Sequence, residues 1–312
     1  NPLTAQLSPA VTINGLIQGP YGIDYSTIYS AGVDKEGIYW RGVANGSDPL
    51  EVIVPELDVR KIRQDTPLAG VLNLITVTLR ATCDISKGSK ITLRGLTGSQ
   101  TGDSMLSVST TGGLLGTTGA WTRSDGVLEL TAEADWLRYN GSDTSEAKEV
   151  VITFNLKNPL TAQLSPAVTI NGSVVAPYGN LSEIYAAAAD KEGIYWRGVA
   201  NGSDPLEVIV PELDVRKIRQ DTPLAGVLNL ITVTLRATCD ISKGSKITLR
   251  GLTGSQTGDS MLSVSTTGGL LGTTGAWTRS DGVLELTAEA DWLRYNGSDT
   301  SEAKEVVITF NL

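Results

Sequence analysis

Histidine is absent from all 312 residues. That removes the Ser-His-Asp and Cys-His machineries and any zinc site built on imidazole. Basic residues are outnumbered, 25 Lys and Arg against 34 Asp and Glu, which leaves a formal charge of −9. Nucleic acid and anionic membranes both require a basic footprint, so neither is expected as a partner. No run of 18 apolar residues is present, so membrane insertion is not expected either. Charged residues make up only 19%, too few for a disordered polyelectrolyte. Asn1 to Gly15 lack the charged start and apolar stretch of a secretory leader. With no initiator Met, the expectation is a mature product or a slice of something longer.

What the chain does have is repetition. Residues 1–15 (NPLTAQLSPAVTING) return unchanged as 158–172, and residues 34–156 return unchanged as 190–312. Only 16–33 and 173–189 differ, LIQGPYGIDYSTIYSAGV against SVVAPYGNLSEIYAAAA, the second being one residue shorter. Lys157 joins the copies. Identical units suit a spacer, a polymer or a multivalent surface better than two separate catalytic tasks.

Within each copy, apolar and polar residues alternate with the period of a half-buried strand. Ile75, Val77 and Leu79 alternate with Thr76, Thr78 and Arg80, and the same pattern runs through Ile91–Arg94, Leu128–Ala132 and Ile152–Lys157. Turn signals such as Ser86-Lys87-Gly88 and Ser124-Asp125-Gly126 separate these runs. The pattern predicts an all-β chain: tandem immunoglobulin-like antiparallel β-sandwiches with short aromatic connectors. The Cys…Trp…Cys signature of true immunoglobulin domains is missing, so the expectation concerns architecture alone.

The run Glu149–Lys157 is followed by Asn158-Pro159 and then by Ser165–Ile170, which predicts a hairpin across the copy boundary. The expected division has residues 1–14 as a strand segment completing a neighbouring domain and 15–47 as a connector. The first sandwich spans 48–172, including strand 165–170. A second connector, 173–203, contains a short helix over Leu181–Ala189 behind Asn180 or Ser182 as cap. The second sandwich, 204–312, lacks its last strand. The unpartnered first segment matches the missing last strand, which predicts head-to-tail addition of a strand from a neighbouring copy, either the next part of one long polypeptide or a separate subunit. Such contacts give open filaments when they do not close into rings. The residues expected to carry assembly are Val11, Ile13, Val168 and Ile170 on the donated strands and Phe310 and Leu312 beside the groove. Trp40 and Trp196 are expected in the joints, where tryptophan packs cores or interfaces.

Other features carry less chemistry. Asn-x-Ser/Thr sequons at Asn45, Asn140, Asn171, Asn180, Asn201 and Asn296 are candidate glycosylation sites in a secreted protein. One Cys per copy, Cys83 and Cys239, cannot bridge within a domain and reads as a buried thiol, with a bridge between subunits as the alternative. The acidic loops Asp34–Glu36 and Asp143–Glu146 lack the ligand spacing of a calcium loop, so calcium is not expected. Gly112–Gly119 lacks the Lys-Ser/Thr ending of a phosphate cradle. No cofactor is implied, and carboxylate pairs of the glycosidase kind rise no higher than background.

The segments LITVTLRATCDISKGSKITLRGLTGSQT, GVLELTAEADW and VVITFNLKNPLTAQLSPAVTI resemble repeats of very large extracellular surface proteins of algae and other microbial eukaryotes. The resemblance covers roughly residues 70–170 and 226–312. It implies an extracellular or cell-surface β-sandwich array and no particular ligand. The function expected is therefore a structural unit of an extracellular filament or fibril with copies of itself as partner, not an enzyme. The alternative is a multivalent adhesin that binds surface glycans or proteins.

Overall fold

A computed structural model describes residues 1–139, 147–295 and 300–312. The chain divides into two compact units. Unit 1 holds Asn1–Arg63, Leu74–Lys157 and Pro166–Lys191; unit 2 holds Gln64–Asn73, Asn158–Ser165 and Glu192–Leu312. The strands of the first copy and its boundary are β1 (Thr12–Gln18), β2 (Tyr25–Gly32), β3 (Leu57–Gln64), β4 (Leu72–Ala81), β5 (Lys90–Arg94), β6 (Ser104–Thr110), β7 (Thr118–Thr122), β8 (Val127–Thr131), β9 (Val150–Lys157), β10 (Thr169–Val175), β11 (Leu181–Ala188) and β12 (Asp190–Lys191). The second copy continues with β13 (Leu213–Gln220), β14 (Leu230–Ala237), β15 (Lys246–Leu249), β16 (Ser260–Thr266), β17 (Thr274–Thr278), β18 (Val283–Thr287) and β19 (Val306–Asn311).

The protein is an all-β pair of sandwiches, and the alternation in the sequence is the reason. On β4, Ile75, Val77 and Leu79 are buried while Thr76, Thr78 and Arg80 are half-exposed; on β9, Ile152, Phe154 and Leu156 are buried. The strand order is β11-β10-β5-β8-β7-β6-β9-β4-β3-β12 in the first sandwich and β13-β14-β19-β16-β17-β18-β15 in the second. In both, one strand turns the corner between the sheets. Ser104–Ser107 of β6 pair with β7, whereas Val108–Thr110 pair with β9. β16 does the same with β17 and β19. A strand that changes partner in this way lets a single ladder fold into two facing sheets. Trp121 and Trp136, with Trp277 and Trp292 in the second copy, lie in the cores, as do Leu115 and Leu271 from the Gly-rich crossings.

Three expectations change. The helix expected at 181–189 is strand β11: it pairs antiparallel with β10 from Thr169↔Ala188 to Val175↔Leu181, and Ile184 is buried. Tertiary pairing overrides the helix propensity of its alanines. The hairpin expected across the copy boundary does not form. β9 sits between β4 and β6, while β10 crosses over to pair with β5. Residues 173–203 therefore do not act as one connector. β10 and β11 extend the sheet of unit 1, and the stretch from Glu192 belongs to unit 2 together with residues 64–73 and 158–165.

Candidate assembly site

In the first sandwich, β5 would be an edge strand if β10 were removed. Its five residues pair with β10 in continuous antiparallel register, Thr169↔Arg94 to Ser173↔Lys90, and β11 closes the hairpin outside it. Residues pointing to one face along β10, namely Ile170, Gly172 and Val174, are buried, as is Ile184 on β11. They cover Ile91 and Leu93, which are both fully buried. Each aliphatic side chain so buried contributes about 1.5–3 kcal/mol. Polar contacts hold the end of the hairpin. The Val175 N–H donates to Ser89 Oγ at 2.9 Å, and the Arg41 guanidinium donates to Val175 O at 3.3 Å and to the Ser86 hydroxyl.

Among the described residues, the same acceptor recurs in the second sandwich without its donor. β15 has β18 on one side and ends the strand order on the other. Ile247 and Leu249, identical in sequence context to Ile91 and Leu93, are only half-buried, and Thr248 is exposed. A β-carbon on Gly95 would lie 2.1 Å from Ala167 O, whereas one on the equivalent Gly251 would meet nothing within 4 Å. An unpaired edge of this kind is a template for another strand.

The donor also recurs without its acceptor. β1 and β2 form a separate two-stranded sheet, with the register and the bulge seen in β10 and β11: Thr12↔Gly32 to Gln18↔Tyr25, shifted between Ile13 and Gly15 as between Ile170 and Gly172. Its inward set, Ile13, Gly15, Ile17 and Ile28, matches Ile170, Gly172, Val174 and Ile184. The variable segment has thus kept its apolar face. Yet Ile13, Ile17 and Ile28 are 63%, 58% and 49% exposed, against 0%, 4% and 2% for Ile170, Val174 and Ile184. A lone two-stranded hairpin is marginal in water.

The expected assembly residues fall as follows. Val168 and Ile170 lie buried in the segment that completes the first sandwich, and Val11 and Ile13 hold the equivalent places on the unpaired hairpin. The segment before it rests on its own copy: Gln6 bridges Val52 and the Ser8 hydroxyl donates to Pro49 O at 2.7 Å, so the unpaired element is Thr12–Gly32 and not Asn1–Asn14. Phe310 is a core residue, 2% exposed, on a strand flanked by β14 and β16. Leu312 does line an open groove of ≈ 680 Å³ at the tip of the second sandwich. Trp40 is 51% exposed and Trp196 37%, the latter with its indole N–H on Asp65 O. The importance of β5 and β15 was missed, because an acceptor edge and an interior strand share one alternating pattern.

Of the sequons, Asn45, Asn180 and Asn201 are exposed, while Asn171 is half-buried in β10 opposite Thr92. Asn140 and Asn296, and the acidic loop at 143–146, lie outside the described residues. Cys83 and Cys239 are buried and free. Burial pushes the Cys83 thiol up to about 11, with Arg41 and Arg138 pulling the other way.

Two solved structures are similar in outline. One, named BspA_C_WT, has a TM-score of 0.36 at 10% identity and matches over 81% of this chain and 90% of that one. The other, the C-terminal domain of the Streptococcus agalactiae AgI/II polypeptide BspA, has a TM-score of 0.35 at 10% identity, over 82% and 90%. At this level no role transfers. No family model and no curated protein matches the chain. The resemblance to algal and microbial-eukaryote repeats has no counterpart among these.

Proposed function

We propose that the chain is a structural repeat unit of an extracellular filament, assembled head-to-tail by strand complementation. Hairpin β1–β2 of one copy adds to β15 of the next, as β10–β11 adds to β5 within the chain. The observation behind this reading is the pairing of two vacant halves with one filled example of the same sequence. Where the copies differ the donor keeps apolar residues at its inward positions, Ile17 for Val174 and Ile28 for Ile184, and the acceptor is unchanged. Apolar burial supplies the affinity and the ladder supplies the register. A heterologous contact of this kind propagates without limit unless the rotation closes it. In this role the chain has no catalytic task, its location is the cell surface or beyond, and exposed Asn45, Asn180 and Asn201 carry N-linked glycans in a glycosylating host.

Sedimentation velocity and negative-stain imaging of the purified chain across a concentration series test the proposal. Linear polymers whose length grows with concentration are expected. A monomer at every concentration overturns the reading and turns attention to the adhesin alternative, in which the loops bind a surface glycan or protein.

A further inference from the structure

The strand exchange leaves a second pair of vacancies unexplained. Unit 2 contains a filled example of the contact they would make. There the loop tip Gln64–Asn73 is packed against residues 192–209, and three amides close the joint. Gln64 Nε2 donates to Gly202 O at 3.1 Å and to Glu207 O at 2.7 Å, and Gln64 Oε1 accepts from the Leu206 N–H at 2.9 Å. Asn73 donates to Gln64 Oε1 at 2.7 Å and to Asn158 Oδ1 at 2.9 Å. Asn158 in turn donates to Thr66 O and Leu68 O. A short parallel bridge adds Ile209 N–H to Pro67 O at 2.7 Å and Ala69 N–H to Ile209 O at 2.9 Å. Leu206 is fully buried in this contact, and Asn73 and Asn158 are as well.

The same two surfaces recur unmated. The tip equivalent to 64–73 is Gln220–Asn229, which borders the ≈ 680 Å³ groove; Leu224 and Leu228 are 69% and 70% exposed there. Its polar half is preformed, since Asn229 Nδ2 donates to Gln220 Oε1 at 2.9 Å and its Oδ1 accepts from the Thr222 N–H at 3.2 Å. In unit 1 the strip equivalent to 206–209 is Leu50–Ile53. Its Glu51, Val52 and Ile53 line an open groove of ≈ 440 Å³ with Gln6 and Leu7. Leu50 is 57% exposed where Leu206 is 0%, yet it holds the same left-handed backbone, φ 64° against 60°. A γ-branched residue is held there only when its surroundings demand it. Unit 1 thus presents a connector already bent for a tip to receive.

We infer that Gln220–Asn229 of one copy docks on Trp40 and Leu50–Ile53 of a second copy, closing a buried amide joint that fixes the orientation of each head-to-tail step. The occupant is another copy of this chain because the exact sequence equivalents of the two surfaces, Gln64–Asn73 and Leu206–Ile209, are already mated to each other inside it. This rests on the head-to-tail reading but on different residues. In the joint, Gln220 receives the Leu50 N–H, the Trp40 indole meets Asp221 O, and Pro223 and Ala225 bracket Ile53. With Asn1 of the second copy in the place of Asn158, three amides satisfy one another and tolerate little misalignment, so the joint sets angle and register while the hairpin sets affinity.

Cysteines placed at Ile53 and Leu224, treated with a short bis-maleimide, test the joint; the native cysteines are buried. The expected product is a ladder of covalent oligomers on denaturing gels, absent for a control pair at Ile53 and the exposed Ser263 of β16. Leu50→Asp is expected to raise the concentration for half-assembly by about tenfold or more. If wild type polymerises but neither the ladder nor the Leu50→Asp effect is seen, the joint is wrong and strand complementation stands. If the ladder persists in Gly15→Val, the joint forms independently of the hairpin. A wild-type chain that stays monomeric overturns both.

Discussion

Gly172 lies so close to Lys90 that a β-carbon on it would sit 2.3 Å from the Lys90 carbonyl oxygen and 3.1 Å from the Ile91 side chain. At the equivalent Gly15 the nearest atom is Ile28 Cδ1, at 3.4 Å. One residue of the repeat is therefore obligatory where the hairpin is docked and permissive where it is not. Gly15→Val should leave the thermal unfolding of the isolated chain unchanged and abolish polymer growth. Gly172→Val should unseat β10 and destabilise the first sandwich by at least ~2 kcal/mol. Urea titration and sedimentation on the two variants check this; equal behaviour of the pair would sink strand complementation.

A free donor should act as a chain terminator. A synthetic peptide covering residues 11–33 carries the whole β1–β2 hairpin and its inward residues Ile13, Gly15, Ile17 and Ile28. In molar excess it should occupy β15 and shorten polymers imaged by negative stain. The same peptide with Gly15→Val should do nothing. Shortening by both peptides alike would point to a nonspecific hydrophobic effect.

Phe310 offers a sharp contrast between core and surface. It is 2% exposed in a cluster with Ile231, Val264 and Trp292, so Phe310→Ala should cost the second sandwich about 3–5 kcal/mol by loss of transfer energy plus a cavity. The effect appears as a lower urea midpoint at concentrations where the chain is monomeric. A variant with unchanged stability and altered assembly would return Phe310 to the surface role its position in the sequence first suggested.

That case shows what the sequence could express. Period-two alternation named the buried faces of β4, β5, β8 and β9, because a residue's face follows from parity along a strand. Parity is silent about which strand lies alongside, so Phe310-Asn311-Leu312 looked like an edge when β15 was the open one. It was equally silent on LSEIYAAAA, whose alanines favour a helix in isolation but whose carbonyls and amides are claimed by β10. The amide joint was illegible for another reason: Gln64, Asn73 and Asn158 are far apart in sequence, and their burial depends on a loop from the other copy. Only the exact repeat hinted at it, by promising that every surface would occur twice.

The buried thiol of Cys83 should leave a mark on stability at high pH. Its ordinary value of 9.0 rises to about 11 in the folded chain, chiefly through burial. Below pH 9 both folded and unfolded thiols are protonated and its contribution is complete. Between about 9 and 11 the unfolded thiol ionises first, so stability falls as pH rises through that window. The urea midpoint of wild type should drop more steeply between about pH 9 and 11 than that of Cys83→Ala. Parallel slopes would mean that the thiol reaches solvent.

The clearest comparison sets Asn73 against Asn229, the same residue of the repeat in a closed and an open joint. Asn73, itself fully buried, donates to Gln64 and Asn158 and accepts from the Asp65 and Thr66 N–H groups. Asn73→Ala withdraws donors from two buried oxygens and the acceptor from the buried Thr66 N–H, so a loss of about 2–4 kcal/mol is expected. Asn229 is half-buried, and water can replace its bonds to Gln220 and Thr222; Asn229→Ala should cost less than about 1 kcal/mol in the monomer. In the polymer the two positions become equivalent. Asn229→Ala should therefore be nearly silent in dilute unfolding experiments and costly in assembly, whereas a variant silent in both would leave the tip of the second sandwich without a partner.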